Sequence, residues 1–375
     1  MRTPPLACPA ASANPELPDT TSLPADPSVL TDYLDRGGDL PDLLDHLRAA
    51  SLLPPYPDSL EAASGDVDGD GTPDVTLSLQ NPNAEAGPRP PGILFVWLCR
   101  PTGYVLVYQS APDVVHGAPV LLAARDLTSD GGIEIVAGRP LCGAHTCFLA
   151  LSALSWNGLQ VVEVFSGTSE DLPTPTVVAS AGADGAGTIT VTSRGVASVG
   201  AGPPRPRTRT WTWNPQTHAF VAGADVLSAP VFRIHVVHDA DAAFEAGEQG
   251  TAEALYERAL SDSTLEEWEA GPATPASLKA YVHYRLVLMG LARDGHAAAQ
   301  EAYNAMVEAT VGIPEASPYL SMAQLLLQTA DPVSLPAACG PVRAYAAEKP
   351  SQVLDPLYYG YDNRVYTPDD LCPFQ

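Results

Sequence analysis

Basic residues are scarce in this chain: 19 Lys and Arg stand against 44 Asp and Glu, for a net charge of −25. A field of that sign repels phosphate backbones and anionic lipid surfaces and attracts cations, which argues against nucleic acid as a partner. Long apolar runs are also lacking. None approaches the ~20 residues that a membrane-crossing helix needs, although 45% of the residues are hydrophobic. The opening "MRTPPLAC" has no apolar core of a secretory signal. No nucleophile elbow, phosphate-binding loop or zinc-protease signature occurs. Catalytic triads also assemble from distant positions, so a hydrolase stays open as a lesser alternative.

What is plentiful is proline, 38 in 375 residues, which suits rigid loops better than long uninterrupted helices. Seven fall in residues 1–27, a segment that reads as an extended tether. "PLAC" resembles the end of a bacterial lipoprotein signal, with Cys8 as the lipid-bearing residue, although Pro5 stands where a Leu-like residue is preferred. The six cysteines are an even number. Local pairing is expected for Cys142–Cys147 and for Cys339–Cys372, which leaves Cys8–Cys99. Free thiols remain open. So does a zinc site from Cys142, Cys147 and His145, but no second ligand cluster follows them.

The stretch "GDVDGDGTPDVTLSL", Gly65 to Leu79, holds four aspartates in nine positions. Asp66, Asp68, Asp70 and Asp74 take offsets 0, 2, 4 and 8, with Gly71 after the third. Sixty residues on, Asp126, Thr128, Asp130 and Glu134 take the same offsets, with Gly131 in the glycine slot. A third copy beginning at Ser180 keeps Asp184 and Gly185 alone. Each copy runs into an alternating segment, "VTLSL", "IEIVAG" or "TITVTS", the pattern of a half-buried strand. Trp97, Trp156 and Trp213 follow 31, 30 and 33 residues after the start of each loop. Three features in one order across three copies make a repeat.

This combination resembles the FG-GAP (VCBS) repeat of integrin-type propellers, over residues 60–230. The resemblance implies four-stranded blades and a β-propeller-like domain that is open or incomplete, since propellers usually close with about 4–8 blades. It also implies calcium in the loops. Calcium takes about six to eight oxygens in forgiving geometry. Asp66, Asp68, Asp70 and Asp74 would give carboxylates and Thr72 a backbone carbonyl. Asp126, Thr128, Asp130, Gly132 and Glu134 would form a weaker second site. The third loop, with one carboxylate, would hold none. An EF-hand needs a glutamate where Leu77 stands, and helices on both flanks. The plain alternative is an Asx-rich turn without metal.

Beyond Pro230 the spacing becomes helical. Gly247, Ala252, Tyr256 and Ala259 resemble the second half of a tetratricopeptide repeat, and Tyr284, Gly295, Ala299, Tyr303 and Met306 repeat the design. Tyr256 and Tyr303 are 47 residues apart, against about 34 in that family, so "STLEEWEAGPATPA" reads as an insertion between hairpins. The resemblance implies a stacked helical array that binds a protein partner; a plain helical bundle is the alternative. His235, His238 and Asp239 invite a metal or base reading, but the glutamate and third ligand are missing. Asp239 or Asp241 is expected to cap a helix. The tail bears Tyr358, Tyr359, Tyr361 and Tyr366 and is expected to cover the last helical pair.

The expected organisation is therefore a Pro-rich tether (1–27), a short helical segment (28–54), the β-repeat domain (55–230), the helical array (231–350) and a capping tail (351–375). The expected function is a non-enzymatic, calcium-binding, secreted or envelope-associated binding or scaffold protein that recognises a protein or glycan. A subunit of an extracellular surface assembly is the runner-up.

Overall fold

The computed structural model describes residues 8, 15–84, 89–111, 117–142, 147–171, 176–181, 186–268, 273–329 and 335–374. The third loop's Asp184 and Gly185, and His145, lie outside them. The chain divides into two compact units. One comprises Met1–Val196 and Pro206–Leu227, the other Ala197–Arg205 and Ser228–Gln375.

The first unit begins with α1 (Ser28–Asp35) and α2 (Leu40–Ala49), followed by three four-stranded antiparallel sheets. The first sheet contains β1 (Ala62–Gly65), β2 (Asp74–Gln80), β3 (Gly92–Arg100) and β4 (Gly103–Gln109), in that spatial order. The second contains β5 (Val120–Arg125), β6 (Glu134–Cys142), β7 (Cys147–Trp156) and β8 (Val161–Asp171), and the third β9 (Thr176–Ala181), β10 (Gly187–Ser193), β11 (Arg207–Asn214) and β12 (Ala219–Leu227). Each is a meander of sequential neighbours. No closed propeller forms among the described residues.

Three apolar layers hold this unit together. Leu30, Tyr33, Leu43 and Leu47 of the helices pack on Val75, Leu77, Phe95 and Trp97 of the first sheet. The opposite face of that sheet, through Leu94, Val96 and Leu98, meets Leu121, Ile135 and Leu154 of the second. The second sheet then meets the third through Val136, Leu151 and Phe165 against Ile189 and Val191. This layering corrects the half-buried reading of "VTLSL". All seven residues of β2 are buried, because the polar side of the alternation, Thr76 and Ser78, lies under the second sheet. The Ser78 hydroxyl donates to the Pro119 carbonyl there, so its burial leaves no orphaned donor.

The second unit packs α3 (Arg233–Glu245) on α4 (Gln249–Ser261), α5 (Pro275–Asp294) on α6 (His296–Ala309) and α7 (Ser317–Thr329) on α8 (Leu335–Glu348). Small residues set the close approach within the first two pairs: Ala252, Ala259 and Ala299 are fully buried. Helix α3 starts at Arg233, with Phe232 as its N-cap. Asp239 and Asp241 therefore lie inside the helix and cap nothing, contrary to expectation. The reason is packing: Ile234, Val236 and Val237 are buried in the unit's core, which extends the helix back past both acids.

Three disulfides join Cys8 to Cys99, Cys142 to Cys147 and Cys339 to Cys372. Bridges of this kind form and persist in oxidising compartments. They also settle two alternatives. The Cys8 sulfur is bonded to Cys99, so it cannot carry a thioether lipid. The Cys142 and Cys147 sulfurs are bonded to each other and offer zinc no thiolate. No helix among the described residues is long and apolar enough to cross a membrane.

Candidate metal site in the first acidic loop

The loop between β1 and β2 is folded by its own aspartates. Asp66 accepts a hydrogen bond from the Gly71 amide at 2.8 Å, and Asp70 accepts from the Thr72 amide at 2.8 Å. The second is an Asx turn, in which a carboxylate ties down the backbone two residues ahead, and the first spans five residues of the loop. Gly69 and Gly71, at φ +77° and +88°, take the left-handed conformation that lets alternate side chains turn toward one centre.

Asp74 closes the loop from the first position of β2. Fully buried, it accepts from the amides of Val67 (2.8 Å) and Cys99 (2.7 Å), tying the loop to β3. Burial pushes its carboxyl up to about 6, and the nearby charges of Asp68 and Asp70 add to that, against the pull of the two amides. One oxygen each from Asp66, Asp68 and Asp74 lies within 4.8 Å of the others. The inner oxygen of Asp66, Oδ1, is buried without a hydrogen-bond partner. Asp70 and Thr72 stand outside this three-acid group. Asp70 instead shares Arg100 with Asp68: the guanidinium lies 2.5 Å from Asp68 Oδ2 and 3.2 Å from Asp70 Oδ2. Nothing in the loop's sequence pointed to Arg100, which arrives from the end of β3.

The second loop is built from the same parts but closes differently. Asp126 accepts from the amides of Ser129 (2.7 Å) and Gly131 (3.3 Å), and Asp130 from that of Gly132 (2.9 Å). Glu134, one methylene longer than Asp74, reaches into the loop. Its Oε2 accepts from the Leu127 and Thr128 amides, and its Oε1 from the Thr128 and Ser155 hydroxyls. Burial raises its carboxyl, while these donors oppose the shift. Asp126, Asp130 and Glu134 do not come together as a three-acid group, and no cation pairs with Asp126 or Asp130 among the described residues. The two loops also touch: the Ile133 amide donates to the Asp66 carbonyl at 2.8 Å. A side chain at Gly132 would come within 2.7 Å of the Val67 carbonyl, so this contact requires glycine there.

The other expected sites resolve into structure. His235 bonds the Pro203 carbonyl at 3.1 Å, and Asp239 holds Arg205 with two bonds of 2.6 and 2.8 Å. Burial pushes His235 down to about 4 and His238 down to about 3, so both imidazoles are neutral near pH 7. Sequence reading missed the centre of this unit. Asp241 is buried and accepts from the hydroxyls of Tyr256, Tyr281 and Tyr366, with Arg285 Nε at 3.1 Å. Tyr366 comes from the tail, which enters the core. Tyr284 donates to the Leu371 carbonyl, and Cys339–Cys372 fastens the end, while Tyr358 and Tyr361 stay exposed. A cleft of ≈ 450 Å³ between the first two sheets is lined by Tyr108, Ser110, Arg139, Ser152 and Glu163 among others. Compared with protein-family models, curated proteins and solved structures, the chain matches none.

Proposed function

We propose that this chain is a non-enzymatic, calcium-binding scaffold of an extracellular or envelope setting, whose first acidic loop carries one structural calcium. The observation that carries this reading is the orphaned, buried Asp66 Oδ1 beside the carboxylates of Asp68 and Asp74. Three acids with an unpartnered inward oxygen are chemically suited to a hard cation. Asp66, Asp68 and Asp74 would hold the ion, with Asp70 and Thr72 completing the shell. Calcium there would neutralise the cluster and brace the β1–β2 turn; no chemical step follows from it. The FG-GAP reading is supported by three four-stranded meanders, the first two of which carry an acidic loop between their first and second strands. The tetratricopeptide-like reading is supported by three successive helix pairs, and a protein partner on either unit follows from those two resemblances.

The second loop takes the plain alternative in this reading: its acids are met by its own donors, so Asp126, Thr128, Asp130, Gly132 and Glu134 form a metal-free braced turn. Extracellular calcium modules bind at about 10⁻⁴–10⁻³ M. At about 1 mM calcium, linkage then stabilises by about 0.4–1.4 kcal/mol. Thermal melts in EDTA and in millimolar calcium test this. A small rise of the first unit's transition with calcium is expected, and identical melts would remove the metal.

The assembly alternative has one observation in its favour. Among the described residues strand β12 pairs on one side alone, and its Val221, Val226 and Leu227 are exposed. Such an edge is a template for further strand pairing. Light scattering behind size exclusion separates the two readings: a monomer at high concentration excludes the assembly.

A further inference from the structure

We infer that Arg100 is a built-in competitor for the cation of the first loop and sets the calcium concentration at which that loop fills. The inference rests on the calcium reading above. Its own basis is where the guanidinium sits. Arg100 is the last residue of β3, directly after Cys99, whose amide holds Asp74. From there it spans Asp68 Oδ2 and Asp70 Oδ2, two of the four carboxylates that the loop gathers. A divalent ion drawn to Asp68 must share that carboxylate with a fixed positive charge or displace it.

The second loop lacks this arrangement. In the second loop no cation pairs with Asp126 or Asp130 among the described residues, and the closing Glu134 is served by neutral donors. Arg100 therefore has no counterpart in the second copy. It compensates the loop whose carboxylates are left short of partners. It does so incompletely, because Asp66 Oδ1 remains unpartnered with Arg100 in place. One guanidinium covers Asp68 and Asp70, and the Asp66 oxygen is left to a small ion. Metal and Arg100 thus act as alternative neutralisers of one cluster, with the arginine holding the loop when calcium is low.

The test is calorimetric titration of calcium into the full chain, decalcified, at about 0.15 M salt, for the wild type, Arg100→Gln and Arg100→Lys. Displacing two partly exposed ion pairs costs binding a factor on the order of ten. Arg100→Gln should therefore bind calcium about tenfold tighter. Arg100→Lys, which keeps the charge, should stay within about threefold of the wild type. Melts in EDTA accompany the titration: Arg100→Gln should melt below the wild type there, and calcium should narrow the gap. If Arg100→Gln does not fold, Arg100→Lys decides alone, since affinity that rises as far as tenfold with the charge retained overturns the competition. Equal or weaker calcium binding by folded Arg100→Gln overturns the role of Arg100 and leaves the calcium reading standing. No binding by any of the three proteins overturns the calcium reading and this inference together.

Discussion

The two acidic loops start from nearly the same pattern and end in different electrostatic states. In the first, Asp74 reaches back only to the Val67 amide and gives its other oxygen to the Cys99 amide of β3. The remaining carboxylates recruit Arg100 from β3 and still leave Asp66 Oδ1 unpartnered. In the second, the extra methylene of Glu134 lets one carboxylate collect four donors. One side-chain carbon thus separates the closing residue of a loop that keeps an unpartnered buried oxygen from one that collects four donors. A loop motif scored by its acids alone ranks the two by charge, whereas the partners of the closing residue distinguish them better.

The largest effect expected from breaking this contrast is at Glu134. Removing it as Glu134→Ala strands the buried Leu127 amide, the half-buried Thr128 amide and two hydroxyls, and should cost about 3–4 kcal/mol in chemical denaturation, equally with and without calcium. Asp74→Ala strands two amides, and should cost about 2–3 kcal/mol while abolishing the calcium-dependent rise in melting temperature. A Glu134→Ala variant whose loss is repaired by calcium would erase the distinction between the loops.

A pH series isolates the loops from the helical unit. His235 and His238 are held neutral by burial, near Arg205, Asp239, Arg364 and Tyr366, at about 4 and about 3. Their folded values lie below the ordinary 6.5, so the unfolded chain binds protons first. Stability of the second unit is then complete above about pH 6.5 and falls as the pH drops toward 3. Circular dichroism followed against pH should show this loss unchanged by EDTA or calcium. A calcium-dependent loss over the same range would mean that the loop governs both units.

The smallest expected effect is the sharpest discriminator. Asp66→Asn keeps an acceptor for the Gly71 amide but removes the orphaned anionic oxygen. In EDTA it should leave stability unchanged or raise it by less than about 1 kcal/mol, because an unpaired buried charge beside two other acids is removed, yet it should eliminate the response to calcium. Asp126→Asn should leave that response intact.

Local spacing made a good part of this molecule legible. The offsets of Asp66 to Asp74 marked a turn entering a strand. Their reappearance at Asp126 marked a repeat, and sequence proximity made Cys142–Cys147 easy to pair. What stayed hidden depends on residues far apart in the chain. Arg100 lies 34 positions from Asp66, on a strand whose register with β2 decides that it reaches the loop. The Asp241 centre draws on residues 256, 281, 285 and 366, each of which alone reads as an ordinary helical or tail residue. Asp239 and Asp241 looked like caps because acids before an apolar run usually are. The buried side chains of Ile234 to Val237 overrode that local preference. The burial of Thr76 and Ser78 likewise depended on a sheet formed 40 residues later, which no alternation within β2 encodes.

The central claim is that the first loop, and not the second, is the cation site. Calorimetric titration of calcium into the decalcified wild type, Asp66→Asn and Asp126→Asn tests it most directly. The account predicts one site in the wild type, the same site in Asp126→Asn and none in Asp66→Asn. Binding that survives Asp66→Asn, or disappears with Asp126→Asn, would contradict it.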